Sequence, residues 1–156
     1  MQSNVFDLII IGGGPGGYVA AIRASQLGFN VACVEKKNTL GGTCLNEGCI
    51  PSKTLLNASH KYSEISNNGL NEIGVKATNV ELDLDQMMTN KNEVVTGLTK
   101  GIDQLFNKNK ITRLSGHAEI KGPGQVQIKS GPDKGIFEAK RIVIATGSKP
   151  ASPQGI

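Results

Sequence analysis

The sequence predicts an α/β domain with a parallel sheet, a helical crossover and a small antiparallel β-meander. Val5–Ile11 is a β-branched apolar run that ends in glycines, which is typical of a strand buried on both faces. The pattern from Pro15 to Leu27 predicts a helix that opens at the glycine loop and stops at Gly28. Residues 30–35, "NVACVE", predict a second strand, which completes a strand–helix–strand unit with parallel strands.

The remaining elements follow from periodicity. Helices are expected over Pro51–Ser66 and Leu84–Phe106, and the alternating segment "ITRLSGHAEI", residues 111–120, predicts a strand. "VQIK" and "GIFEA", separated by "SGPDKG", predict the meander. "RIVIATG", residues 141–147, predicts another buried strand that leads into a glycine turn.

Composition excludes several classes of function. The 156 residues suffice for one ordinary domain, and the net charge of +4 comes from scattered lysines and arginines without interleaved aromatics. We therefore expect no nucleic-acid partner. No apolar run approaches the ~20 residues of a membrane span, and Asp7 interrupts the N-terminal apolar run. The absence of an export signal predicts a reducing compartment, in which a disulfide is more often catalytic than structural.

A glycine loop predicts dinucleotide binding. Gly12, Gly14 and Gly17 form G-x-G-x-x-G directly after a predicted strand and at the start of a predicted helix. These glycines permit a tight turn, close approach of a pyrophosphate and close helix–strand packing, and the helix N-terminus favours phosphates. Glu35 ends the second strand, where an acid accepts hydrogen bonds from an adenosine ribose and disfavours a phosphorylated ribose. FAD or NAD fits better than NADP. The alternative is a turn without a ligand.

The segment "LGGTCLNEGCIPSK" places Cys44 and Cys49 close together in sequence. The pair could form a structural disulfide, half of a metal site or a redox-active thiol pair. A zinc site fits poorly, because the spacing is not C-x-x-C and His60 and His117 are distant in sequence. Cys33 lies within a predicted strand and is expected to be a small core residue. We therefore expect no metal.

A redox pair fits the two cysteines better than a structural disulfide. A bridge over so short a loop removes little entropy from the unfolded chain. The following helix is expected to favour a thiolate at its N-terminal end. Lys53 lies one helical turn after Cys49, where its charge could stabilise a thiolate or a reduced flavin, or simply be solvated. A flavin would connect a disulfide, which accepts two electrons, with a nicotinamide, which transfers hydride.

Three segments carry a resemblance to a known family. "GGGPGGYVAAIRASQLG", "VEKKNTLGGTCLNEGCIPSK" and "IVIATGSKP" resemble the N-terminal FAD-binding segment of the dihydrolipoamide dehydrogenases, the E3 and L-protein group of the pyridine nucleotide-disulfide oxidoreductases. Glutathione and mercuric reductases carry a similar cysteine block. The resemblance implies a Rossmann-like FAD-binding domain, with residues 1–150 as its incomplete N-terminal part. Residues 151–156 would start a linker to NAD-binding and interface domains.

The resemblance also implies roles for individual residues. Cys44 would be the thiol that exchanges with dihydrolipoamide, and Cys49 the charge-transfer thiolate against the flavin. Lys53 would lie near the reactive edge of the flavin ring, and Glu35 would hold the adenosine ribose. Further cofactor contacts are expected from the glycine loop, the segment before the cysteines, and two turns later in the chain: Gly12, Gly14, Pro15, Gly16, Gly17, Lys36, Gly41, Gly42, Thr43, Cys44, Gly116, His117, Ala118, Thr146, Gly147 and Ser148.

The implied reaction is oxidation of dihydrolipoamide to lipoamide, with NAD⁺ as acceptor. The implied partners are the lipoamide-bearing carrier domain of a 2-oxoacid dehydrogenase or glycine cleavage complex and, in the full-length protein, a second copy of the chain, in the cytoplasm or the mitochondrial matrix. Members of the family continue past residue 156 with an aspartate for the flavin, an NAD domain, an interface domain and a His–Glu pair. We therefore expect these residues alone to bind FAD weakly and to lack steady turnover. Another flavin disulfide reductase, or an inactive FAD-binding module, remains open.

Overall fold

The computed structural model describes residues 4–153 and 155, so that Gln154 and Ile156 of the predicted linker lie outside the described residues. The chain divides into two compact units. The first is drawn from Met1–Gly42 and Gly101–Ile156, and the second is Thr43–Lys100.

The first unit contains a six-stranded sheet with the strand order β3-β2-β1-β6-β5-β4. The strands β3, β2, β1 and β6 are parallel to one another, whereas β4, β5 and β6 form an antiparallel meander. This arrangement confirms the predicted fold class. The strands are β1 (Val5–Ile11), β2 (Val31–Glu35), β3 (Thr112–Ser115), β4 (Ala118–Gly122), β5 (Gln125–Ile128) and β6 (Gly135–Ile144).

The sheet curls so that its two edges approach each other. Strands β3 and β4 stand at opposite ends of the strand order, yet only Gly116 and His117 separate them in the chain. The main apolar cluster is enclosed by this curvature and includes Phe6 of β1 and Phe137 of β6, whose ring centroids are 6.4 Å apart. Burial of side chains of this size stabilises the fold by about 1.5–3 kcal/mol each.

Strand β1 is buried on both faces, as predicted. Ile9 and Ile10 point to opposite faces and both are completely shielded from solvent. Helix α1 (Pro15–Gln26) lies against β1 and β2, and its buried residues include Ala21 and Ala24. The helix ends where it was predicted to end, because Gly28 adopts a φ of 88° that side chains disfavour.

The second unit is helical. It contains most of α2 (Gly42–Asn46), all of α3 (Cys49–Ser66), a 3₁₀ turn (Asn71–Ile73) and the first part of α4 (Leu84–Lys108), whose last two turns belong to the first unit. The two long helices were predicted, but α3 begins two residues earlier than expected, because Pro51 is tolerated within the first turn of a helix. Among the described helices, none combines the length and apolar composition needed to cross a bilayer.

Two strand predictions differ from the structure in extent. The predicted strand over residues 111–120 is broken at Gly116, where φ is 149° and a Cβ would overlap the Ser130 carbonyl oxygen. Conversely, "GIFEA" and the start of "RIVIATG" form the single strand β6. Its first residues pair with β5, and from Glu138 onwards it pairs with β1.

The prediction that residues 141–147 form a buried strand is wrong in burial and in length. Strand β6 ends at Ile144, and the side chains of Val143 and Ile144 are 38% and 66% exposed. The physical reason is that β1 is the strand paired with Arg141–Ile144, and no strand among the described residues pairs with their other edge.

An exposed apolar strand edge of this kind pairs readily with another chain, so we expect the 156-residue chain to self-associate. Ile144→Lys should weaken the association about tenfold, or ~1.4 kcal/mol, because a charge at the edge must be desolvated when a second strand pairs there. Sedimentation velocity over a concentration series measures this change. Leu56→Lys, which removes a comparably exposed apolar residue from helix α3, is the control and should leave the association unchanged. A wild-type chain that stays monomeric at high concentration would contradict the expectation.

Candidate functional site

The glycine loop begins where β1 ends. Gly12 has a φ of 109°, and its N–H donates a hydrogen bond to the Val34 carbonyl oxygen at 2.8 Å. A Cβ at this position would overlap the carbonyl oxygen of Ala145, whose own N–H donates to Ile11 at 2.8 Å. Both the backbone angle and the space therefore require glycine at position 12.

The second and third glycines of the motif have different surroundings. A Cβ on Gly17 would overlap the carbonyl oxygen of Gly12, so the first turn of α1 lies directly on the loop. Gly14 is the N-cap of α1, and a Cβ there would lie 3.7 Å from the Cα of Gly42, an ordinary contact. The described fold therefore requires glycine at 17 but leaves room for a side chain at 14.

A second pair of glycines lies against this loop. The Gly41 N–H donates to the Gly13 carbonyl oxygen at 2.8 Å. Gly42 has a φ of 60°, and a Cβ there would lie 2.7 Å from the Cα of Gly14. The predicted contact residues Gly14, Gly41 and Gly42 are thus brought together by the backbone itself.

The Glu35 carboxylate is buried at the end of β2, with the residue only 8% exposed. Its Oε2 accepts a hydrogen bond from the Gly13 N–H at 2.8 Å, and its Oε1 accepts one from the Lys37 N–H at 2.9 Å. Each carboxylate oxygen has two lone pairs, so each retains one for a further donor. The carboxylate therefore ties the glycine loop to the turn that follows β2.

The sequence analysis missed Gly13, the middle residue of "IGGGPGG". A Cβ on Gly13 would lie 2.5 Å from Cδ2 of the fully buried Leu40 and 3.2 Å from Cβ of Glu35. The signal available in the sequence was the run of three glycines at residues 12–14, because the G-x-G-x-x-G motif accounts only for the first and third of them.

A cavity of about 140 Å³ opens at the carboxyl ends of β1 and β2. Its walls combine the loop, the end of β2, the β3–β4 corner and the turn after β6. Apart from Ile11 and Val34, every residue of the wall is among the predicted cofactor contacts. The wall consists of Ile11, Gly12, Val34, Glu35, Lys36, Gly116, His117, Ala118 and Thr146.

The β3–β4 corner is fixed by hydrogen bonds of its own backbone. The Gly116 N–H donates to the Glu35 carbonyl oxygen at 2.9 Å, and the His117 carbonyl oxygen accepts from the Lys129 N–H at 2.9 Å. Asp133 caps the end of β3 by accepting the Ser115 N–H at 2.7 Å. Two backbone groups of the predicted contact residues Gly116 and His117 are therefore already used within the fold.

Other predicted contact residues lie elsewhere. Pro15 and Gly16 occupy the first turn of α1, and Gly147 and Ser148 are exposed residues that do not line the cavity. Four further residues belong to the second unit: Thr43, Cys44, Cys49 and Lys53.

Within the second unit, a tight reversal between α2 and α3 brings two cysteines together. The Thr43 carbonyl oxygen accepts hydrogen bonds from the N–H groups of Glu47 and Gly48, at 2.9 and 2.7 Å. A Cβ on Gly48 would lie 3.2 Å from that same oxygen, so a larger residue would strain the reversal. Cys44 and Cys49 are free thiols, and their side chains are hydrogen-bonded to each other.

The pair has distinct environments. The hydrogen bond to Cys49, together with burial, raises the pKa of the Cys44 thiol above its usual value. The positive charge of Lys53, an exposed residue of α3, acts in the opposite direction on the same pKa. Cys49 is the first residue of α3 and is exposed, whereas Cys44 is half-buried.

Cys33 is a core residue, as predicted. Its side chain is fully buried, and its Sγ donates to the Gly12 carbonyl oxygen at 3.7 Å. Burial and the negative charge of Glu35 raise the pKa of Cys33 to about 12, so the thiol stays protonated at neutral pH. His60 is exposed on α3, and the described part of the chain contains no group of three or more His, Cys, Asp or Glu side chains that could hold a metal.

Known relatives match nearly the whole chain. It is 50% identical to mitochondrial dihydrolipoyl dehydrogenase from Pisum sativum over 155 residues, which is 99% of this chain and 31% of the relative. It is 52% identical to dihydrolipoyl dehydrogenase 3 from Pseudomonas putida, over 97% of this chain and 32% of the relative. Leghemoglobin reductase from Vigna unguiculata is 50% identical over 99% of this chain and 29% of its own length. The chain thus spans about a third of the length of these curated relatives.

A solved structure and a family model agree with these relatives. The copper(II) complex of an HOCl-induced flavoprotein disulfide reductase from Escherichia coli superposes with a TM-score of 0.78 at 26% identity, over 99% of this chain and 31% of that one. The model of the pyridine nucleotide-disulphide oxidoreductase family matches residues 6–156. Because that match covers almost all of the sequence, the chain belongs to the pyridine nucleotide-disulphide oxidoreductase family.

Proposed function

We propose that the chain is the FAD-binding segment of a flavin-dependent thiol–disulfide oxidoreductase, with Cys44 and Cys49 as its redox-active pair. The observation that carries the redox part is the reversal held by the Thr43 carbonyl oxygen, which places two free thiols so that Cys49 is the main cause of the raised pKa of Cys44. Two neighbouring thiols at such a reversal are placed to form and break a disulfide. The longer protein would oxidise dihydrolipoamide to lipoamide with NAD⁺ as acceptor, as the named relatives suggest.

The residues of the first unit fit the ADP half of FAD. Gly14 is the one motif glycine that the described fold does not itself require, which leaves its open surface for a pyrophosphate. The two lone pairs that remain on Glu35 match the two hydroxyl donors of a ribose. The negative charge of Glu35 disfavours a phosphorylated ribose, which supports FAD over an NADP-like ligand in this cavity.

Bound FAD would take up the two electrons of a dithiol and pass them to NAD⁺ as hydride. The chemistry of the chain's own residues starts from the Cys44–Cys49 disulfide. A thiolate of dihydrolipoamide attacks Sγ of Cys44, and the disulfide bond breaks to release Cys49 as a thiolate. The second substrate sulfur, once deprotonated, then displaces Cys44, so that lipoamide leaves with a new disulfide and the protein retains two reduced sulfurs.

The assignment of separate roles to Cys44 and Cys49 rests on the family resemblance. Exposure alone would favour Cys49 as the sulfur that a substrate reaches first, because Cys49 is exposed and Cys44 is half-buried. The resemblance assigns the exchange with substrate to Cys44. A spectroscopic test below distinguishes the two assignments.

The names of the relatives support a lipoamide substrate and, for some of them, a mitochondrial location. We infer a lipoamide-bearing carrier domain as the substrate partner and a homodimer as the assembly of the longer protein, in the mitochondrial matrix or in the cytoplasm. The relative named leghemoglobin reductase supports a second candidate, in which the same flavin and thiol segment serves another acceptor. Turnover of the longer protein with dihydrolipoamide distinguishes the two candidates.

Glu35→Ala should weaken FAD binding by about 1–3 kcal/mol, the range for loss of a charge-assisted hydrogen bond. That loss corresponds to a rise of about 5- to 140-fold in the dissociation constant. Titration of flavin fluorescence with the purified chain measures it. Glu138→Gln, which neutralises an exposed carboxylate of β6, is the matched control and should bind FAD as the wild type does. Equal FAD affinity of Glu35→Ala and the wild type would contradict the ribose assignment.

Oxidised lipoamide should convert the reduced chain to one containing a Cys44–Cys49 disulfide. The thiols of the chain lose two hydrogens, and lipoamide becomes dihydrolipoamide, so electrons and protons balance. Peptide mapping by mass spectrometry detects the bridge. Cys33→Ser should form it normally, since Cys33 is buried and protonated, whereas Cys44→Ser and Cys49→Ser should not. A bridge that includes Cys33 would overturn the assignment of the pair.

The roles of the two cysteines can be separated by absorption spectra of the FAD-loaded longer protein. Cys44→Ser should leave a Cys49 thiolate and show a long-wavelength charge-transfer band. Cys49→Ser should show no such band. The reverse pattern would exchange the roles, and identical spectra would refute the division.

A further inference from the structure

Arg113 of β3 joins two parts of the first unit. Its Nη1 donates to Oδ1 of Asp103 at 2.9 Å, and its Nη2 donates to the Asn38 carbonyl oxygen at 2.6 Å. A further contact from Nη2 to the Lys37 carbonyl oxygen is 3.5 Å long and therefore weak. The guanidinium thus bridges the last turns of α4 and the turn that follows β2.

The turn after β2 also holds the Glu35 side chain. Lys37 donates its N–H to Oε1 of Glu35 at 2.9 Å, and the carbonyl oxygen of the following residue, Asn38, accepts from Arg113. A guanidinium that holds the Asn38 carbonyl therefore restricts the direction in which the Lys37 N–H points, because only the φ and ψ torsions of Lys37 and Asn38 separate the two groups.

The same segment reaches the glycine loop from its other end. Leu40 is fully buried beneath Gly13, and the Gly41 N–H donates to the Gly13 carbonyl oxygen at 2.8 Å. The segment from Lys37 to Gly41 is therefore bonded to the Glu35 carboxylate at one end and to Gly13 at the other. The position of this segment therefore affects the distance between the Glu35 carboxylate and the Gly13 N–H.

We propose that Arg113, supported by Asp103, is a positioning residue for the dinucleotide site, acting through the Lys37–Asn38 turn to orient the Glu35 carboxylate. This inference rests on the proposed function, in which Glu35 receives the ribose. Arg113 does not line the cavity, and it influences the ligand only through the turn.

The geometry requires arginine. The planar guanidinium reaches a carboxylate and a peptide carbonyl with two different nitrogens at once, whereas the single ammonium of lysine acts as a point charge. Arg113→Lys should keep the charge beside Asp103 but lose the fixed bond to Asn38. Arg113→Gln should lose both.

The test is a double-mutant cycle on FAD affinity. Arg113→Gln should raise the dissociation constant for FAD about tenfold, as for one charge-assisted hydrogen bond, and Arg113→Lys should raise it by less. In a Glu35→Gln background, Arg113→Gln should have almost no further effect, because the residue through which it acts has already lost its charge. Additive effects, or an unchanged dissociation constant in Arg113→Gln, would overturn the proposal.

A second measurement does not depend on the cofactor. In NMR spectra of the chain without ligand, the amide protons of Gly13 and Lys37 should shift upfield in Arg113→Gln, as their bonds to Glu35 lengthen. Lys140→Gln is the control, since it removes a cation from the Lys140–Asp7 ion pair, which joins β6 to the early part of β1 rather than to the turn after β2. It should leave both amides and the FAD affinity unchanged. Unmoved Gly13 and Lys37 amides in Arg113→Gln would refute the positioning role.

The two measurements separate this inference from the function on which it rests. If the wild-type chain binds no FAD, the cofactor assignment fails while the amide shifts still decide whether Arg113 positions Glu35. If FAD binds and the amides do not respond, only the positioning role fails. Asp103→Asn, which keeps the shape of the side chain, provides a milder variant should Arg113→Gln not fold.

Discussion

One buried carboxylate holds together the part of the first unit that lines the cavity. Glu35 accepts the N–H groups of Gly13 and Lys37 through its side chain and the N–H of Gly116 through its main chain. A carboxylate without such donors would be expensive to bury, since its hydration would be lost without replacement. The glycine loop, the turn after β2 and the β3–β4 corner therefore converge on a single residue, and the cavity is the space that remains between them.

The glycines around this residue are required for different reasons. At Gly12 and Gly17 the fold itself leaves no space for a Cβ, because carbonyl oxygens occupy the position. At Gly13 the obstacle is the packed side chain of Leu40. Gly14 meets no such obstacle, so the described fold alone does not require glycine there. The motif thus combines glycines that the fold requires with one that it does not.

The sequence predicted the features that depend on local chemistry. The apolar run and length of β1, the glycine loop and the end of α1 at Gly28 each depend on residues that are neighbours in sequence. The break at Gly116, the length of β6 and the bridge made by Arg113 depend on partners far along the chain. The alternation of apolar and polar residues continues across the turn at Gly116, so the pattern alone predicted residues 111–120 as one strand. Likewise, the apolar character of Val143 and Ile144 predicted burial, but burial requires a neighbour that the described residues do not supply.

The three cysteines show how the fold separates reactive from inert sulfur. Cys33 donates to the Gly12 carbonyl oxygen at the glycine loop, yet its high pKa keeps it a thiol, and a thiol is a poor nucleophile. Cys44 and Cys49 lie at a reversal that the Thr43 carbonyl oxygen holds closed, with the charge of Lys53 acting on Cys44. Because a disulfide forms only between sulfurs that can approach to bonding distance, complete burial removes Cys33 from this exchange even though its Sγ contacts the loop. The fold can therefore keep a cysteine in its core without drawing it into disulfide exchange with the proposed redox pair.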